Sequence, residues 1–169
     1  MQSNKPLDIF QLGKNNLKQE SQMHELYNEE ILKHAKTPEF TSELKTVDAS
    51  GYAVNQFCGD EVRVDLSFSD GIINDIHIDS RGCSINIASS SLMAGEIKDL
   101  DPNKVTILIN TYKSLMNSKI TDYEPKKILG ALAVMESVKA FPIRIKCALL
   151  GTQAFEAVSY THLTLPTKA

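Results

Sequence analysis

Three cysteines, Cys58, Cys83 and Cys147, are the residues of this chain best suited to chemistry, and each stands where one sequence pattern gives way to another. Cys58 follows Asn55-Gln56-Phe57 and precedes Gly59-Asp60, just ahead of an alternating stretch. Cys83 follows Gly82 where a helical period begins, and Cys147 follows Arg144-Ile145-Lys146 at the expected start of the last helix. Thiols at helix starts experience the positive end of the helix dipole, and the neighbouring Arg81, Arg144 and Lys146 push the same way, toward thiolate. Asp60, two residues after Cys58, falls on the same side if the backbone is extended there, and would add an oxygen ligand. Three thiolates and one carboxylate make a tetrahedral set suited to zinc or to an iron–sulfur cluster. Gly59 and Gly82 beside two of the thiols allow backbone to approach a bound group closely. Spacing alone leaves a second reading open. Cysteine is among the most buried residue types, and three isolated ones without a Cys-x-x-Cys pair also serve as core fillers.

The remaining candidates carry less chemistry. His24 and His34 fall on the first helix and are expected to be exposed or to pack; His77 has the parity of Asp75 and Asp79 and is expected to be solvated; His162 lies near the C-terminal end. Ser89-Ser90-Ser91 suggests a nucleophile, but no histidine is placed by sequence to activate it. Small residues packing a helix onto a sheet are the better reading.

The elements that must position the thiols follow from periodicity. Apolar residues at Met23, Leu26, Tyr27, Ile31 and Ala35 predict an amphipathic helix over 22–36, stopped near Pro38. Residues 44–54, broken by Gly51, predict an irregular edge strand. Val62, Val64, Leu66 and Phe68 alternate with Glu61, Arg63, Asp65 and Ser67, and the turn Ser69-Asp70-Gly71 leads into a second alternating run, which predicts a hairpin. After Gly82 the period becomes helical through Ile85, Ala88, Ser89, Leu92 and Glu96. Asp101-Pro102 opens a further helix as N-cap and first-turn proline, with Val105, Leu108, Ile109, Tyr112 and Met116 as its buried stripe. The polar stretch NSKITDYEP precedes a helix over about 128–138, and Phe141-Pro142 breaks before the last helix with Leu149, Leu150, Phe155 and Val158. Strands followed by helices predict an α+β domain, a small antiparallel sheet of about three strands against several helices.

With 169 residues the chain supports one domain and one principal site. Residues 1–20 are polar and aperiodic and are expected to form a disordered arm, 21–158 the domain. The stretch SYTHLTLPTKA, 159–169, does not continue the helical period and is expected to be a non-native tail. A net charge of −3 without a basic stripe excludes a general nucleic-acid binder. No apolar run reaches the roughly 20 residues of a membrane span, and the N-terminus lacks a signal-peptide pattern, so a cytoplasmic protein is expected. An odd number of widely spaced cysteines fits that compartment and speaks against disulfides.

Assembled in order, NQFCGD at 55–60, SRGCSINIASSSLM at 80–93 and FPIRIKC at 141–147 resemble the motifs of the U-type iron–sulfur assembly family, the IscU/SufU/NifU N-terminal fold. EILKHAKTPEF at 30–40 resembles the family's first-helix ending, and the whole resemblance runs from Met23 to Val158. The chain has Gln56 where the family usually has proline. It is similar to the SufU-like branch rather than the IscU branch: Lys146 replaces the histidine before the last cysteine, 64 positions separate Cys83 from Cys147, and an LPPVK-type chaperone motif is lacking.

The resemblance implies metal ligation by Cys58, Asp60, Cys83 and Cys147. It implies a zinc-bound sulfur acceptor, sulfurtransferase-like in its chemistry, that takes persulfide sulfur from a PLP-dependent, SufS-like cysteine desulfurase and serves downstream iron–sulfur assembly proteins. Cys58, in a loop with Gly59 beside it, is the expected acceptor; a partner histidine is expected to replace it on the metal, and Arg144 to support the anionic sulfur. The alternatives are a scaffold on which iron or a [2Fe-2S] cluster is assembled at the same ligands, and a structural zinc module.

Overall fold

The computed structural model describes residues 28–117 and 123–164. The expected arm at 1–20 and the first turns of the predicted 22–36 helix lie outside the described residues. Helix α1, Glu29–Lys36, is capped by the Asn28 side chain, which accepts from the Ile31 amide at 2.9 Å. Glu29 and Glu30 in the first turn and Lys33 and Lys36 in the last complement its dipole.

Three antiparallel strands follow in the order β1-β2-β3: β1 Ala49–Asn55, β2 Asp60–Ser69 and β3 Ile72–Arg81. The expected irregular strand at 44–54 is instead a regular seven-residue strand in unbroken register with β2, from Ala49 opposite Leu66 to Asn55 opposite Asp60. Gly51 does not interrupt it, because a side chain there would collide with Ala154 and Val158 of the last helix. The gap is filled by a helix backbone. Asp70 and Gly71, at φ 52° and 75°, make the tight β2–β3 turn that strand twist favours. A bulge at Ser67/Phe68 adjusts the pairing beyond it. Val62, Val64 and Leu66 of β2 and Ile73, Ile76 and Ile78 of β3 are buried on the helix-covered face.

Helix α2, Ser84–Ile97, is buried around almost its whole girth, which explains its Ala/Ser content: bulk would not fit between the sheet and its helical neighbours. Helix α3, Pro102–Asn117, starts at Asp101, whose carboxylate accepts the Lys104 amide at 3.0 Å. The helix expected over 128–138 is two pieces. Helix α4 runs Tyr123–Leu129, and a 3-10 segment, Gly130–Ala140, follows. The cause is Gly130, at φ 54°, where Glu96 of α2 accepts the Ala131 amide at 2.8 Å and redirects the chain. Helix α5 spans Pro142–Thr164. Residues 159–164 therefore continue a helix that the sequence period did not extend, since a helix already nucleated and packed through Val158 propagates cheaply. Among the described residues no helix is long and apolar enough to cross a membrane.

Candidate metal centre

The three cysteines converge because three junctions meet at one sheet edge. Glu61 at the start of β2 lies opposite Arg81 at the end of β3, so the chain enters β2 from Cys58 beside the point where it leaves β3 toward Cys83. Helix α5 packs along β1 and β2 and carries Cys147 to the same place. Asn86, one turn into α2, donates to the carbonyls of Arg81 at 3.2 Å and Glu61 at 3.4 Å and fixes the helix start to both strand ends.

One ligand atom from each of Cys58, Asp60 and Cys147 lies within 4.8 Å of the others. Cys58 is exposed, Cys83 half-buried and Cys147 buried. Cys83 is not a member of that mutual group. It is the N-cap of α2; its amide donates to Asp60 Oδ1 at 3.1 Å, and its thiol adjoins that of Cys147. The structure thus brings three of the four expected ligands into one cluster and places the fourth against two of them.

Asp60 reaches Cys58 by a route the sequence did not suggest. Residues 56–59 form a turn, not an extended run, and Gly59 at φ 75° reverses the chain between the two side chains. The turn is set by Asn55, whose side-chain oxygen accepts the Phe57 amide at 3.1 Å and whose carbonyl accepts the Gly59 amide at 2.8 Å. Gly82, at φ 121°, must be glycine on two counts, because any Cβ would collide with the Asp60 carboxylate.

Asp60 is 3% exposed, and its Oδ2 is buried without a hydrogen-bond partner. An orphaned buried carboxylate oxygen costs on the order of 1–3 kcal/mol or more, and such groups are rare unless an ion satisfies them. The same carboxylate offers an oxygen within 4.8 Å of the Cys58 and Cys147 thiols, so the site fits a bound cation, and a donor set of sulfur plus one carboxylate matches a borderline-soft metal such as zinc.

The electrostatics differ from expectation at Cys147. Helix α5 begins at Pro142, so Cys147 sits in its second turn, beyond the reach of the dipole's end. In the protein without metal, burial first, then the neighbouring Cys83 thiol and Asp60, push the Cys147 thiol up to about 12. The charge of a metal ion supplies what the helix start does not. Arg81 is also engaged elsewhere, on Asp79 at 3.1 Å and Glu61 at 3.8 Å. Arg144 is half-buried one turn ahead of Cys147. Lys146 extends over the Phe57 ring, 5.5 Å from its centroid.

Two polar pairs escaped the sequence reading. His34 is buried with its Nδ1 2.8 Å from Ser91 Oγ, so a histidine does meet the serine cluster, and the Glu39 amide donates to the same oxygen at 2.8 Å. The arrangement ties α1 and the segment after it onto α2. Ser89 donates to the Ala148 carbonyl at 2.6 Å and Ser90 to Asn86, so all three serines serve packing, as their small size suggested. His77 is not solvated. It lies opposite Asp65 in the strand register, with Nδ1 3.1 Å from Oδ2, and Ser50 donates to the other oxygen at 2.6 Å. Only the bulge-corrected register reveals that row.

Residues 26–148 match the NifU-like N terminal domain family. The chain is 32% identical over 134 residues to the zinc-dependent sulfurtransferase SufU of Bacillus subtilis (strain 168), covering 78% of this chain and 87% of the relative. It is 29% identical over 149 residues to the iron–sulfur cluster assembly scaffold protein IscU of Streptococcus pyogenes serotype M1, covering 85% and 92%. Among solved structures, a putative iron–sulfur cluster assembly scaffold protein for the SUF system from Fervidobacterium islandicum AW-1 superposes with a TM-score of 0.71 at 26% identity, over 80% of this chain and 98% of that one.

Proposed function

The chain belongs to the NifU-like N-terminal domain family, and from that membership we propose that it is a zinc-bound sulfur acceptor that takes persulfide sulfur from a cysteine desulfurase for iron–sulfur cluster assembly. The observation that carries this reading is a buried Asp60 carboxylate with an orphaned oxygen, clustered with an exposed and a buried thiol. The name of the Bacillus subtilis relative, a zinc-dependent sulfurtransferase, supports it. The working unit is residues 21–158, with 159–169 dispensable.

Cys58, Asp60, Cys83 and Cys147 would hold the metal, which when bound keeps the thiols ionised and guards them from oxidation. Cys58 is the acceptor because it is exposed, on a turn with an unencumbered glycine beside it, whereas Cys147 is buried in a helix and Cys83 caps one. The Cys58 thiolate attacks the outer sulfur of the desulfurase persulfide. A new S–S bond forms on Cys58, the donor's S–S bond breaks, and its electron pair leaves on the desulfurase cysteine as thiolate, so no oxidant is needed. Asp60, Cys83 and Cys147 stay in place during the exchange. Arg144, one turn from Cys147, is the cation that would support the anionic product. Downstream assembly proteins would receive the sulfur.

A scaffold reading, with a cluster built on the same four residues, draws on the names of the Streptococcus and Fervidobacterium proteins. Metal analysis of anaerobically purified protein separates the two. We expect about one zinc per chain and a colourless protein. Iron with visible absorption would move the scaffold reading ahead. In the same preparation Cys58→Ser should abolish stimulation of the desulfurase while retaining some zinc, because three ligands and water remain a viable site. Full stimulation by that variant would remove Cys58 from the role.

A further inference from the structure

We propose that Phe57 and Lys146 form a clasp that holds the Cys58 turn against helix α5 and sets how often the thiol leaves its cluster. Phe57 is 96% exposed, yet its ring is not idle: Lys146 Nζ stands over it, 5.5 Å from the centroid. Among the described residues no carboxylate lies within ion-pair distance of Lys146. The two residues are the chain neighbours of Cys58 and Cys147, so the contact joins the backbones that carry two of the clustered ligands.

Little else restrains the turn on that side. Asn55 fixes its base through two hydrogen bonds, but no heavy atom lies within 4 Å of where a Gly59 side chain would stand. A cavity of about 350 Å³, lined by Val54, Gln56, Phe57, Lys146, Leu150 and Gln153, adjoins the turn. A cation over an exposed aromatic face shifts such an equilibrium by about two- to fivefold, enough to bias the turn and weak enough for a partner to undo. The functional meaning rests on the acceptor reading. A sulfur donor that covers the Phe57 ring would take it from Lys146, freeing Cys58 to move and exposing an ammonium beside the anionic sulfur.

The clasp is testable without a desulfurase, through the rate at which uncharged iodoacetamide alkylates Cys58 in the full chain, mapped by mass spectrometry with metal content measured in the same samples. Phe57→Leu, which conserves charge, and Lys146→Met should each raise the Cys58 rate about two- to fivefold. The double variant should be no faster than either single one, and Lys146→Arg should keep the original rate, since a guanidinium makes the same contact. Unchanged rates in both single variants, additive effects in the double, or Lys146→Arg behaving as Lys146→Met would overturn the proposal. So would a matching rise at Cys147 with a lowered melting temperature, which marks general loosening. Failure of the acceptor reading shows separately, as alkylation behaving as described while no sulfur reaches Cys58 from a desulfurase.

Discussion

Asp60 does two jobs with one carboxylate. Oδ1 receives the Cys83 amide at the start of α2, and Oδ2 waits, buried, for a partner. Asp60→Asn keeps an oxygen for the Cys83 amide but replaces the anionic oxygen proposed to bind the metal. It should leave the fold intact and weaken zinc by at least the roughly 10- to 100-fold that changes around a metal site cost, measured by competition with a chelator. Full affinity in that variant would remove Asp60 from the ligand set. Cys147 allows a second test at this scale. Its pKa is raised by burial, so in metal-stripped protein the thiol stays protonated well above its ordinary value of 9.0, and the fold loses the associated stability only as pH climbs from there toward about 12. Iodoacetamide should therefore modify Cys58 faster than Cys147 at pH 8, and Cys147 should gain reactivity only in strong alkali. That Cys58, Asp60, Cys83 and Cys147 belong together was legible from their types and motifs. The geometry joining Cys58 to Asp60 was not, because a positive φ at Gly59 is a choice among backbones that spacing does not make.

Elements decide where those residues meet. The alternation in β2 and β3 and the Asp70-Gly71 turn could be read directly, since a period of two and a tight turn are local signals. The 3-10 segment after Leu129 could not, because its cause, the Glu96 carboxylate on the Ala131 amide, comes from 35 residues away. The start of α5 was misjudged for a related reason: the apolar stripe begins late, but Pro142 is a good first-turn residue and begins the helix five positions before Cys147. The row Ser50-Asp65-His77 across the sheet makes a prediction of its own. Burial pushes the Asp65 carboxyl up, but hydrogen bonds from Ser50 and His77 and the charge of Arg63 outweigh it and hold the group below its ordinary 3.8. A depressed carboxylate contributes stability that is present above the unfolded value and lost as pH falls through the folded one. Urea midpoints of the wild-type protein should therefore drop below about pH 4 more steeply than those of Asp65→Asn, and parallel curves would contradict the row's role. Gly51→Ala, facing the Ala154 carbonyl, should cost about 1–3 kcal/mol by overpacking β1 against α5, read from the same midpoints.

At the scale of the molecule, the fold is a device for bringing positions 58, 83 and 147 to one sheet edge. A hairpin supplies two of them and a helix laid along the sheet supplies the third. Thiols at three element ends can converge on one sheet edge, but separations of 25 and 64 residues do not say that they do, and the family resemblance is what made convergence the expected arrangement. The stretch 159–169 does not continue the apolar period that buries Leu150, Phe155 and Val158 in α5. Deleting residues 159–169 should accordingly leave metal content unchanged and shift the melting temperature by no more than a few degrees, although the helix backbone continues to Thr164. A larger fall would show that these residues pack on the domain. The most direct measurement is intact-mass and peptide mapping of the protein after turnover with a cysteine desulfurase and cysteine. An adduct of about 32 Da, one sulfur atom, should appear and map to the peptide carrying Cys58, as thiolate–persulfide exchange requires. An adduct confined to Cys147 or Cys83, or none at all while the desulfurase is stimulated, would contradict the acceptor assignment.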